Sequence, residues 1–342
     1  MRNTERGSRT AWSSVDGRYV AYRRTTGRLG IAMLLFMMLF SGLDYVLFPI
    51  LGLIDLLPQG TAQDVGYEIY AMLVYALSFM LPVLLCRLIT PKQERAPLPL
   101  GAVAPRKLGL LIPAAIAVVY CAALTNGYLV EALGLSAPAT SYPVPDGSYP
   151  THTAVLLYIS VALVPAFCEE FLFRGLVMTH LLPYGKTVAV LGSAVLFGLM
   201  HGTGEQILYT TVAGIVLAYV AIESGSIWSS VLIHMFNNLL SVVDEVMSNR
   251  LAYRDEMLLY SAIEMLVIGG GMICLAILVI QKERRAKEER APIYKSVEQG
   301  ALRVGVPLAG GTLQGFFSPT MIIFFALSIL EIVSGLIWNV WA

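Results

Sequence analysis

The chain has 342 residues, 57% of them hydrophobic and 13% charged, and its 23 Lys and Arg balance its 23 Asp and Glu. With a mean hydropathy of +0.71 it is too apolar for a soluble globular domain, and nothing in its charge suggests a nucleic-acid partner. What remains is an all-α, polytopic transmembrane helical bundle of about eight to nine spans.

Residues 1–28 are rich in Arg, Ser, Thr and Gly and show no apolar stripe at helical spacing, so they read as a mobile cytoplasmic tail. A helix needs about 20 mostly apolar residues to cross the hydrocarbon layer. Nine segments fit, near 29–54, 66–89, 108–130, 152–182, 187–201, 205–222, 226–247, 258–280 and 320–340, the fifth and sixth being short. The first apolar run is too long for the h-region of a cleavable signal and is read as the first span.

Between the third and fourth spans, the loop Glu131 to His152 contains SAPATSYPVPDGSYP, whose Pro and Gly argue for a lid and against a helix. After the eighth span, QKERRAKEER mixes both signs at helical spacing and reads as a solvated helix extension. The chain therefore divides into an Arg-rich tail (1–28), N-terminal spans with the outside loop (29–150), a polar-motif core (151–247) and C-terminal spans (248–342) with a basic cytoplasmic linker (281–319).

The basic residues are unevenly spread. Seven precede Leu29, five lie from Arg87 to Lys107, Lys186 stands alone and seven run from Lys282 to Arg303. A nine-span arrangement puts these on one side and only Arg250 and Arg254 on the other, so the positive-inside rule predicts a cytoplasmic N-terminus. Short loops and the lack of targeting signals suggest a bacterial plasma membrane. The four cysteines, Cys86, Cys121, Cys168 and Cys274, all fall in predicted spans without CxxC spacing and read as buried apolar residues, not as disulfides or zinc ligands.

The fourth span contains FCEEFLFRG. Charged side chains within a span cost about 2.5–3.5 kcal/mol each on insertion scales, so they face a bundle interior or a wet cavity and are functional suspects. Neighbouring helical residues point about 100° apart, so Glu169 and Glu170 have separate roles. Glu170 and Arg174 stand i,i+4 with the acid first, the favourable order for an ion pair; Glu169 is left without a local partner. Pro165 cannot donate to the carbonyl of Val161, which predicts a kink and a backbone group needing water or a neighbour.

Two further motifs follow. FGLMH sets Phe197 and His201 on one face of the fifth span, and HMFNN sets His234 and Asn238 on one face of the seventh. At 1.5 Å per residue, Glu169 and His201 stand level on either side of the turn at Pro183 to Gly185, and His234 and Asn238 reach a similar depth. These groups are the parts of a hydrolase. Glu169 can take a proton from water that His201 holds, and His234 and Asn238 can donate to an oxyanion. Glu169, His201 and His234 would also make a three-ligand zinc site with an open position; the absence of HExxH and the suitability of Asn238 as a donor favour the metal-free version, with no soluble cofactor.

The three motifs, EExxxR, FxxxH and HxxxN on successive polar spans, resemble those of the CAAX prenyl protease type II and bacteriocin-processing family (CPBP or Abi) of intramembrane endopeptidases. The resemblance covers roughly residues 150–247. It implies a helical-bundle peptidase of glutamic type in which Glu169 is the general base, His201 helps hold the water, His234 and Asn238 form the oxyanion hole, and Glu170 and Arg174 support them. The expected partners are the lipid bilayer and a membrane-associated peptide or protein substrate. Some members of the family are assigned to bacteriocin immunity or scaffolding, so a non-proteolytic transporter, scaffold or immunity protein is the alternative. Asp44, Glu264 and Glu331 lie in spans outside the motifs and read as helix-contact or interfacial residues, and His152 and His180 lie near helix ends.

Overall fold

The computed structural model describes residues 4–58, 60–103, 105–134, 151–248, 251–288, 304–308 and 311–341. Ten helical elements hold the fold: α1 (Thr4–Ile54), α2 (Thr61–Ile89), α3 (Pro105–Ala132), α4 (151–181), α5 (Lys186–Met200), α6 (Ile207–Ser224), α7 (Ile227–Ser248), α8 (253–288), α9 (Thr312–Phe316) and α10 (Pro319–Trp341). No strand occurs among the described residues. The protein is an all-helical, multi-pass membrane protein. All nine expected spans are helices, and seven of the described helices are long and apolar enough to cross a bilayer. The shortfall from nine has two causes: α5 has only 15 residues, and α7 carries His234, Asn237, Asn238, Asp244 and Glu245 in its 22.

The first span begins much earlier than its apolar run. Residues 4–28, expected to be a mobile tail, are helical and continue α1 to a length of 51 residues, about 75 Å. The expectation failed because the buried face there is made of tyrosine and threonine, not aliphatic residues. Tyr22 is fully buried with its ring 4.8 Å from that of Tyr184, and Thr26 Oγ1 donates to the carbonyl of Gly315. Arg18 donates to the carbonyls of Pro183 and Val306. The lid expected over Glu131 to His152 lies largely outside the described residues. The helical extension expected at QKERRAKEER is present as far as Glu288, with residues 281–284 exposed.

Lipid tails are as apolar as leucine side chains, so helix association within a bilayer relies on close packing at small residues. The crossing of α5 and α6 illustrates this: a Cβ on Gly214 would stand 2.9 Å from the Cα of Ala194, and one on Gly198 would meet Ile207's carbonyl at 3.0 Å. A Cβ on Gly30 would likewise fall 2.7 Å from the backbone nitrogen of Met321, fixing α1 against α10. At the centre, α4 is surrounded: Leu172, Phe173, Leu176, Val177 and Met178 are wholly buried. All four cysteines are free.

Candidate active site

Helix α4 is not a uniform α-helix. Two widened π-helical stretches, Tyr158–Leu163 and Phe171–Met178, flank the α-helical turn Val164–Glu170 that carries Pro165 and both glutamates. Proline removes an i→i−4 donor, and π-type widening is frequent at functional sites because it re-aims side chains and frees backbone groups. The carbonyl that Pro165 cannot serve, that of Val161, accepts from Asn238 Nδ2 on α7 at 3.1 Å. The backbone group predicted to need a partner thus finds one in a motif residue.

Glu170 and Arg174 are both fully buried and paired at 2.6 Å, as their spacing implied. Arg174 Nη2 also donates to the carbonyl of Gly214 at 3.1 Å, a contact made accessible by the close approach of α6. The Arg174 guanidinium lies 4.6 Å from the centroid of Phe197. That ring in turn meets His201 at 5.0 Å and His234 at 5.7 Å, edge to face. Phe197, which sequence reading left without a role, is the apolar hub joining the ion pair to the two histidines.

His234 is buried, at 7% exposure, and its Nδ1 lies 3.0 Å from Glu170 Oε1. A carboxylate only accepts, so Nδ1 carries the proton. Its Nε2 stands 3.8 Å from Glu169 Oε2, beyond hydrogen-bond range. Glu170 therefore serves as a shared acceptor for Arg174 and His234. Removing one partner of such a buried charge pair typically costs about 3–5 kcal/mol.

Glu169, at 4% exposure, accepts through Oε1 from the hydroxyl of Tyr75 on α2. Its Oε2 has no hydrogen-bond partner among the described residues. Glu169, His201, His234, Asn237 and Asn238 line one chamber of about 60 Å³, shared with Tyr209, which is room for a few water molecules. Tyr75 escaped sequence reading because a single tyrosine in an apolar span has no local pattern; only its tertiary placement, stacked 4.7 Å from Phe79, aims it at the carboxylate.

The fifth span has its expected length of 15 residues, shifted by one towards the N-terminus. Helix α5 stops at Met200, so His201 sits at its C-terminal end, where the chain turns through Gly202 at φ 66°. His201 Nδ1 is 2.8 Å from the carbonyl of Phe197; a carbonyl only accepts, so Nδ1 donates and Nε2 is left as an acceptor. Glu331 on α10 packs over the turn, near enough to meet a Cβ on Gly202 at 3.1 Å. Non-helical backbone at this depth is tolerable where it is buried in protein or lines a wet cavity.

The other polar residues have structural partners. Tyr70 donates to Asp44 at 3.1 Å and Tyr120 to Glu264 at 3.4 Å. His180 Nδ1 is 2.8 Å from the carbonyl of Leu176, away from the chamber. Among the described residues no group of three or more His, Cys, Asp or Glu side chains has metal-holding geometry.

Neither the curated proteins nor the solved structures include a match to this chain. A protein-family comparison does, and it falls on the segment that supplies Glu169, Glu170, Arg174, His201, His234 and Asn238. Residues 151–240 match the family described as type II CAAX prenyl endopeptidase Rce1-like, the same family that the three motifs resemble, and the match indicates a protease.

Proposed function

We propose that the chain is an intramembrane endopeptidase that hydrolyses a peptide bond in a membrane-associated peptide or protein, with Glu169 as the general base. The observation that carries this reading is the unpartnered, buried Oε2 of Glu169 facing a water-sized chamber that it shares with two histidines and an asparagine.

Each side chain then has a step. Tyr75 holds Oε1, so that Oε2 faces the water. His201, donating from Nδ1 to the backbone, presents Nε2 to a water proton and orients the nucleophile. Glu169 takes the other proton as oxygen attacks the carbonyl carbon, and later returns it to the leaving amine. His234 donates from Nε2 to the oxyanion; because its Nδ1 already donates to Glu170, it does so as the imidazolium, which places a positive charge where negative charge develops. One N–H of Asn238 is spent on Val161, which leaves the second for the same oxyanion. Arg174 and the charged His234 together balance Glu170 and Glu169, so the site is neutral overall before Glu169 takes its proton.

A zinc-dependent version would use Glu169, His201 and His234. No such group has metal-holding geometry among the described residues, so no step is routed through a metal. The test is proteolysis of membrane-peptide mixtures by purified protein in nanodiscs, read by mass spectrometry. The wild type should cleave with and without chelator, and Glu169→Gln should not; loss of cleavage on chelation would favour the metal version. Cleavage undiminished in Glu169→Gln would remove the base assignment. The positive-inside reading, with the N-terminus in the cytoplasm, goes with this proposal.

A further inference from the structure

The catalytic chamber is too small to hold a substrate segment, and a second cavity opens beside it. The chamber and a vestibule of about 740 Å³ share Tyr209 and Asn237 in their walls. The vestibule lies between α3, α6, α7 and α8, and its size is that of a ligand site. Glu169, with its buried Oε2 that lacks a hydrogen-bond partner among the described residues, lines the chamber on the other side of those two shared residues.

The chemistry of the wall is one-sided. Three helices each contribute one carboxylate, Glu131 from α3, Asp244 from α7 and Glu256 from α8, and among the described residues no Lys, Arg or His lines the cavity. Tyr120, Tyr128 and Tyr260 add aromatic faces, which attract cations as well as apolar groups. Clefts lined by one sign of charge between low-dielectric walls focus the field and concentrate the opposite ion.

We infer that the vestibule binds a basic segment of an extended peptide and leads the adjoining peptide bond to Glu169. The inference rests on the endopeptidase reading of the chamber. Its substrate class is a membrane-associated peptide with Lys or Arg beside the cleaved region. An acidic or uncharged flank would leave the three carboxylates without partners.

The test separates binding from cleavage. Glu169→Gln protein in neutral-lipid nanodiscs is titrated with two fluorescent peptides of identical apolar core, one flanked by Lys and Arg and the other by Glu and Asp, with empty nanodiscs as the blank. The basic peptide should bind roughly tenfold more tightly, a preference that three partly exposed ion pairs can supply, and the gap should close at about 1 M salt. In a second variant, adding Asp244→Lys and Glu256→Lys should reverse the order of affinities, a gain that misfolding cannot mimic. Equal affinities in the first protein, or a basic preference that survives the charge reversal, would overturn the inference. A wild-type protein that binds the basic peptide but never cleaves it would count against the endopeptidase reading alone.

Discussion

Asn238 on α7 donates to the carbonyl of Val161 on α4 at 3.1 Å, the carbonyl that an α-helical register would pair with residue 165, a proline with no N–H to give. A backbone defect and a motif side chain are thereby one feature. The tie fixes the segment bearing Glu169 against the helix bearing His234. Asn238→Ala should destabilise the bundle by about 1–2 kcal/mol, the range of interhelical hydrogen bonds in membranes, as read by thermal unfolding in detergent. Pro165→Ala restores a donor to Val161, so the double variant should lose less than the sum of the singles. Strict additivity would mean that the two residues are not linked.

Arg174 answers for Glu170. Arg174→Ala leaves a buried carboxylate without its guanidinium partner and should cost about 3–5 kcal/mol, while Glu170→Gln/Arg174→Met, which removes both charges, should cost less. Arg174→Lys keeps the charge but cannot serve Glu170 and the Gly214 carbonyl in one fork; its unfolding midpoint should fall between those of wild type and Arg174→Ala.

Tyr75 donates to Glu169, the proposed base, from outside the family-matched segment. Tyr75→Phe should lower kcat roughly tenfold, the scale of one hydrogen bond to a charged group at about 1.5 kcal/mol, with KM little changed. An unaltered kcat would reduce Tyr75 to packing.

Gly214 gives a packing test of the same site. Gly214→Ala would force the added methyl to within 2.9 Å of the Ala194 Cα, separating α5 from α6 and drawing the Gly214 carbonyl off Arg174. Activity should fall at least tenfold, as expected when a misplacement of about 1 Å reaches the chemistry, although the residue does not line the chamber.

Much of this architecture can be read from local patterns. The helical segments follow from runs of apolar residues, the Glu170–Arg174 pair from its i,i+4 spacing, and the exposed Val161 carbonyl from Pro165. These signals need only a helix to be true. What escaped depends on tertiary placement or on backbone detail without a sequence period. Tyr75 acquires its role only where α2 crosses α4. The π-helical turns shift hydrogen bonds by one residue without changing the apolar pattern. The helical stretch before Leu29 packs through Tyr22 and Thr26, residues that a hydropathy stripe does not register.

The central claim is that Glu169 hydrolyses peptide bonds at the membrane. Comparative peptidomics of cells carrying the wild-type protein and cells carrying Glu169→Ala at equal abundance tests it most directly. The account predicts a set of truncated membrane-associated peptides present only with the wild type, with their intact precursors accumulating in the variant. Matching peptidomes in the two strains, with the wild-type protein folded and abundant, would contradict it.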